Sequence, residues 1–244
     1  MKLLATARFA DTVVRLSQLN RANPDGLPEV AFVGRSNAGK SSCINLVCNR
    51  RRLAFSSRTP GRTQALNLFA VGPEGEGVRP TGFLVDSPGY GFATASPEAK
   101  RSWQTLAGEY LRSRVPLAGV VLMLDIRREL TDLDRQLLSW TPTVLPLIVV
   151  LTKADKLGRN VAREALRRVA RDPALAGREG PVLLHLFSTL NRTGAELLPL
   201  AVESLLVTTA ADWTALAART DPAAPLLLAP FTPAVPTANA LPSS

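Results

Sequence analysis

Gly34-Arg-Ser-Asn-Ala-Gly-Lys-Ser-Ser42 decides how the rest of this chain is read. It matches G-x-x-x-x-G-K-[ST], with Gly34, Gly39, Lys40 and Ser41 at the required places. Glu29 to Val33 before it reads as a short buried strand, and Ser41 to Val47 after it as the opening turns of a helix. That is the context a phosphate cradle needs. Glycine lets the backbone turn tightly, so the N–H groups of Arg35, Ser36, Asn37, Ala38 and Gly39, and on to Ser42, can face an anion. The helix adds the positive end of its dipole. Lys40 supplies a point charge to the β- and γ-phosphates, and the Ser41 hydroxyl suits Mg²⁺, a hard cation that prefers oxygen ligands. The motif does not by itself separate ATP from GTP.

Composition bounds the class. A chain of 244 residues, 46% hydrophobic and 20% charged, is long enough for one α/β domain with a substantial core. No apolar run reaches the ~18 residues a spanning helix needs, so no membrane span is expected. Arg8 and Asp11 interrupt the apolar start too early for an export signal. Cys43 and Cys48 lie five apart on the motif's own helix, on different faces, and read as reduced thiols of a cytoplasmic protein. The lone histidine, His185, sits in an apolar strand, which makes it a core or edge residue and argues against zinc. The formal charge is +9, and beyond residue 208 only Asp212, Arg219 and Asp221 are charged. The basic excess therefore belongs to the domain and favours polyanionic partners.

From residue 29 onward, strand-length apolar runs alternate with helical stretches, the pattern of a sheet wound with helices. The runs are 30–33, 65–71, 82–85, 120–124, 147–151 and 182–187; helices are predicted at 41–48, 98–112, 132–140, 160–170 and 195–207. Only a short Gly/Pro/Glu-rich turn separates 65–71 from 82–86, so these two form an antiparallel hairpin, since a parallel pair needs a longer crossover. The fold class is an α/β P-loop NTPase: a mostly parallel sheet with one antiparallel edge hairpin and helices on both faces. Pro199 is tolerable only in a first helical turn, so the last helix starts later than its pattern suggests. Residues 1–23 form an N-terminal extension in which Val13, Val14 and Leu16 could add an edge strand, 24–207 the domain, and 208–244, with six prolines, a flexible tail in which Trp213 could still dock.

Four further stations belong to the same site. Phe83-Leu-Val-Asp86-Ser87-Pro88-Gly89 ends a strand with a carboxylate and then a glycine: Asp86 would hold Mg²⁺ through water, and the Gly89 N–H would face the γ-phosphate. Thr152-Lys153-Ala154-Asp155 follows another strand. An aspartate there can accept from N1–H and the 2-amino group of guanine, whereas adenine offers an acceptor at N1 and no 2-amino group. Lys153 would lay its stem along the base. Phe187-Ser188-Thr189 ends the last strand, where backbone N–H groups could meet the guanine O6. Between the P-loop helix and the hairpin lie Gly61, Arg62, Thr63, Gln64 and Ala65. Thr63 can bring its hydroxyl to Mg²⁺ and its N–H to the γ-phosphate, and is preferred over Thr59 for its position near the next strand.

In this order, the stations resemble the small bacterial GTPase domain, and more narrowly the EngB-type GTP-binding proteins. The likeness rests on Gly34 to Ser42, Thr59-Pro-Gly-Arg-Thr-Gln64, Asp86-Ser-Pro-Gly-Tyr-Gly-Phe-Ala93, Thr152-Lys-Ala-Asp-Lys156 and the Leu27-Pro-Glu-Val-Ala-Phe32 entry to the first strand. It covers about residues 24 to 207. Ser87 stands where leucine is common and Arg62 where lysine is usual; neither removes a ligand. The resemblance implies a GTPase that binds GTP/GDP and Mg²⁺, with Lys40, Thr63 and Asn37 as its catalytic residues, acting as a monomeric switch in assembly of the large ribosomal subunit, with ribosomal RNA as partner and a role in cell division. The alternative is a GTP-binding interaction protein of the division site that does not act through the ribosome. Where small GTPases often carry a water-orienting glutamine, this chain has Tyr90, which implies slow intrinsic turnover. Asn37 could coordinate K⁺ near the β–γ bridge, as an asparagine at this place does in related GTPases, or simply fit the loop turn. Arg50, Arg51, Arg52, Arg58 and Arg62 surround the loop expected to order with GTP, a basic patch suited to RNA.

Overall fold

The computed structural model describes residues 3–55, 65–75, 77–91, 97–207, 213 and 226–228, with only the backbone of 97–100. Its strands are β1 (Arg8–Val13), β2 (Glu29–Gly34), β3 (Leu66–Val71), β4 (Gly82–Asp86), β5 (Leu117–Asp125), β6 (Leu147–Thr152), β7 (Val182–Leu186) and β8 (Leu226–Leu227). Its helices are α1 (Leu19–Ala22), α2 (Lys40–Val47), α3 (Pro97–Ser113), α4 (Asp132–Trp140), α5 (Arg159–Ala170), α6 (Pro173–Ala176) and α7 (Leu197–Val207).

The strands form one sheet in the order β1-β3-β4-β2-β5-β6-β7-β8. β4, β2, β5, β6 and β7 run parallel, and β3 pairs antiparallel with β4 as the short turn requires. Every residue of β2 and β6 is buried, the mark of strands covered on both faces. α3, α4 and α5 cover one face, with Leu106, Leu137 and Leu166 on Val33, Leu122 and Val149. α2 and α7 cover the other, with Ile44, Val202 and Leu205 on Phe32, Val121 and Ile148. Both cysteines are buried there, and burial pushes the Cys48 thiol up to about 12. His185 is buried in β7 with its Nε2 2.9 Å from the Gly194 carbonyl.

Three elements differ from the sequence pattern. The edge strand lies at Arg8–Val13, bulged between Phe9 and Asp11: Val13 is fully buried, but Val14 is exposed and Leu16 starts a short 3₁₀ turn. α7 begins at Leu197, which places Pro199 in its first turn, where it breaks no helical hydrogen bond. Two parts of the stretch beyond 208 lie against the domain. Trp213 is fully buried and its indole N–H donates to Ser204 Oγ (2.9 Å), while Leu226–Leu227 adds an antiparallel strand to the β7 edge.

The start of β2 is fixed from below. Glu29 is fully buried and accepts from Arg114 at 2.6 Å, from Tyr110 Oη at 2.8 Å and from Asn23 Nδ2 at 2.8 Å. A buried carboxylate demands such partners, and they set the position from which β2 delivers Gly34.

Candidate functional site

The parallel strands end on one edge of the sheet, the ordinary ligand position of a wound α/β fold. β2 runs into the 34–41 turn and α2 starts at Lys40. Gly39 closes the turn with φ +94°, a region that disfavours any side chain. Asn37 also has positive φ (+61°), which asparagine tolerates, and its side chain is exposed. Lys40 is buried and folds back over the turn, its Nζ donating to the carbonyls of Gly34 (3.0 Å) and Arg35 (3.4 Å). Burial lowers its pKa while Asp86 opposes the shift.

Asp86 closes β4 beside it. The carboxylate is buried, its Oδ1 has no hydrogen-bond partner among the described residues, and the Ser41 hydroxyl bonds to the same group. Desolvation pushes its carboxyl up to about 6, against the pull of Lys40 and the Ser41 hydroxyl. An orphaned buried carboxylate oxygen next to a serine hydroxyl is a donor set that fits a hard divalent cation. After it, the Ser87 N–H donates to the Phe32 carbonyl (3.0 Å). Gly89 lies so close to the turn that an added Cβ would sit 3.0 Å from Lys40 Nζ and from the Ser36 backbone.

The base-recognition residues come together from β6 and β7. Thr152 Oγ1 lies 2.8 Å from the Ala38 carbonyl and 2.9 Å from the Leu124 carbonyl and shares its one proton between them, stapling the end of β6 to the phosphate turn. Lys153 has positive φ (+59°) and its Nζ pairs with Asp125 at 2.8 Å. The Ala154 N–H donates to the Phe187 carbonyl (3.1 Å). Asp155 Oδ1 accepts from Ser188 Oγ at 2.6 Å, and that hydrogen bond holds its carboxyl below the usual range. The Ser188 N–H is taken by the Thr193 carbonyl (3.0 Å), and the Leu190 and Asn191 N–H groups by Ser188 Oγ. In this loop Ser188 therefore serves Asp155 rather than a ligand, and Thr189 retains its amide. A cavity of about 270 Å³ opens between the two halves, lined by Gly39, Lys40 and Ser41 on one side and Thr152, Phe187 and Thr189 on the other.

Of the remaining predicted residues, Ala65 is buried at the start of β3, whereas Gly61, Arg62, Thr63 and Gln64 lie outside the described residues. Two groups at this edge went unread in the sequence. Asp125 closes β5 as Asp86 closes β4, and the Arg127 guanidinium, with Lys153, holds its carboxyl well below the usual range. It lines a second cavity of about 430 Å³ on the outer shoulder of the turn, with Arg35, Asn37 and Arg127. Asp134 is fully buried and receives the Tyr90 hydroxyl; its legible trace is the capping pattern Thr131-x-x-Asp134.

A phosphate turn with a buried lysine, a strand-end carboxylate with a free oxygen and a cavity between that turn and the ends of β6 and β7 make a nucleotide-binding P-loop domain. A family model described as "50S ribosome-binding GTPase" matches residues 29–153. Over 203 residues the chain is 52% identical to a probable GTP-binding protein EngB of Ralstonia nicotianae, covering 80% of this chain and 84% of that one. Over 214 residues it is 47% identical to the Burkholderia thailandensis protein of the same name, covering 86% and 95%. A crystal structure of a probable GTP-binding protein engB superposes with a TM-score of 0.54 at 19% identity, over 73% of this chain and 98% of that one, which supports the fold. The chain belongs to the EngB family of GTP-binding proteins and is a GTP-hydrolysing enzyme. No helix among the described residues is long and apolar enough to cross a membrane.

Proposed function

We propose that this protein is a cytoplasmic GTP-dependent switch in assembly of the large ribosomal subunit, with slow intrinsic hydrolysis resetting it and normal cell division depending on it. The observation that carries the slow-switch reading is the position of Tyr90. Its side chain follows the phosphate-sensing glycine, yet it is buried and donates to Asp134, and neither residue lines the 270 Å³ cavity. The chain thus has no water-orienting group at that place, and a partner completes the site. The family model's description names the 50S particle, and the basic excess of the domain suits RNA.

Hydrolysis breaks the bond between the γ-phosphorus and the β–γ bridging oxygen as a water attacks in line, so it needs charge neutralisation and little covalent help. Lys40 and the amides of the 35–42 turn hold the phosphates, apart from Ser36 and Ala38, whose N–H groups are spent on the Tyr90 and Arg35 carbonyls; Gly89 offers its N–H to the γ-phosphate. Ser41, Asp86 and Thr63 would hold Mg²⁺, which when bound neutralises charge on the β- and γ-oxygens. Asp155 accepts from the guanine edge, Lys153 flanks the base and Thr189 offers the remaining amide to O6. Asn37 contributes a K⁺ ligand at the bridge; turnover should then rise several-fold in potassium over sodium buffer, and equal rates would remove that role.

The RNA surface is built on the end of α2. Asn45 donates to the Ala54 carbonyl and accepts from the Leu53 and Ala54 N–H groups, all at 2.8–2.9 Å, pinning the turn that carries the exposed Arg50, Arg51 and Arg52. Converting all three to alanine is expected to weaken sedimentation with large-subunit particles by roughly tenfold or more and to flatten its salt dependence. GTP affinity should stay within about twofold. The assay compares GDP with a non-hydrolysable GTP analogue: the analogue should favour co-sedimentation. Binding that ignores both the nucleotide and the arginines would overturn the ribosomal reading in favour of a division-site role.

A further inference from the structure

Tyr90 is more than a missing glutamine. Its main chain is bound to the phosphate turn: the Ser36 N–H donates to its carbonyl (2.8 Å) and its own N–H reaches the Gly34 carbonyl (3.3 Å). Its phenol crosses to the opposite layer and donates to Asp134 Oδ1. Asp134 cannot follow a wandering phenol, because its Oδ2 is held by the Thr131 N–H (2.7 Å) and the Thr131 hydroxyl (2.6 Å) at the cap of α4. The residue on the other side of Gly89 is anchored as well, the Trp103 indole N–H donating to the Pro88 carbonyl at 2.9 Å. The Trp103 ring also lies against Tyr90, with centroids 5.1 Å apart, and against Trp140 at 5.7 Å. Gly89 is therefore suspended between two fixed points, one on α3 and one on α4, and faces Lys40 and Ser36.

This suspension has a physical cost that solvation of an exposed loop would not incur. A tyrosine hydroxyl and a carboxylate are both taken out of water, and each depends on the other for satisfaction. An exposed side chain after the glycine would leave Gly89 free to swing, and its N–H would have to be ordered each time a γ-phosphate arrived. Fixing both neighbours removes that entropy before binding.

We propose that Tyr90 is a positioning residue for γ-phosphate recognition: its anchor on Asp134 holds the Gly89 N–H at the phosphate turn, so that the chain discriminates GTP from GDP through a tie to α4. The proposal rests on the reading of Gly89 as the γ-phosphate donor. Because GDP has nothing for Gly89 to meet, the effect is selective. A tie that merely stabilised the fold would affect both nucleotides alike.

The test is the ratio of affinities for a non-hydrolysable GTP analogue and GDP, measured by displacement of a fluorescent nucleotide. Tyr90→Phe keeps the ring and loses the anchor; it should reduce analogue affinity roughly tenfold more than GDP affinity. Trp103→Phe, which releases the Pro88 carbonyl at a different place, should shift the ratio in the same direction. Tyr90→Phe added to Asp134→Ala should shift it little further, since the anchor is already gone. An unchanged ratio in both Tyr90→Phe and Trp103→Phe, or a full additive penalty in the double variant, would overturn the proposal while leaving wild-type GTP binding intact. Wild-type protein that binds ATP as well as GTP would instead overturn the guanine reading on which it rests.

Discussion

Asp155→Ala is expected to lower GTP affinity by roughly 10³-fold or more and to erase the distinction between guanine and hypoxanthine nucleotides. The argument begins with the state of the carboxylate. The Ser188 hydroxyl at 2.6 Å favours its ionised form, and Lys156 Nζ lies 3.5 Å from the other oxygen, so the group is acceptor-only. In the proposed site, two lone pairs directed at N1–H and the 2-amino group would make a charge-assisted pair of hydrogen bonds, of the strong kind. A site built on such contacts rejects ligands that lack them by about 10⁴–10⁵. Inosine triphosphate keeps N1–H and lacks the 2-amino group, so wild-type protein should prefer GTP over it by roughly tenfold or more. In Asp155→Ala the two should bind alike. This comparison separates loss of a base contact from a damaged fold, which would weaken both ligands and keep their ratio. A variant that still prefers GTP over inosine triphosphate would remove Asp155 from the base site.

The pairing behind that prediction was only half legible in the sequence. Thr152 to Asp155 can be read because it follows a buried strand, and the function of an aspartate there follows from the donor pattern of guanine. That Ser188 orients it could not be read: the two residues are 33 apart and meet only because β6 and β7 are parallel neighbours. The same holds for Glu29 and Arg114, 85 apart, whose ion pair fixes the lower end of β2. The turn between β3 and β4 was legible because ten residues leave no room for a crossover. The strand at Leu226–Leu227 was not, since the run Leu226 to Leu228 among prolines and alanines carries no period, and only the open edge of β7 gives it a register. Tyr90 shows the same boundary. Its chemistry rules out one role from sequence alone, while its actual partner, Asp134, stands 44 residues further on at the start of α4, and the two meet only in the fold.

The second large effect is expected from Gly89→Ala, where one methyl group is set against the phosphate turn. The new Cβ would lie 3.0 Å from Ser36 N and Cα and from Lys40 Nζ. The lysine end is flexible in principle, but here it is spent on the carbonyls of Gly34 and Arg35. Ser36 is main chain, and its N–H is committed to the Tyr90 carbonyl. Neither wall yields easily, so the 87–90 segment must back away, carrying the Gly89 N–H with it. A displacement of about 1 Å at a reacting centre costs on the order of 10²-fold in rate, and losing an oriented donor to developing charge costs about 10²–10³-fold. Single-turnover GTP hydrolysis should therefore fall by roughly 10²-fold. GDP affinity should change far less, because in the proposed site the β-phosphate would be held by Lys40 and the turn itself. Hydrolysis at the wild-type rate in Gly89→Ala would mean that the glycine amide is no ligand of the γ-phosphate, and the closeness of residue 89 to Ser36 would then be a matter of packing alone.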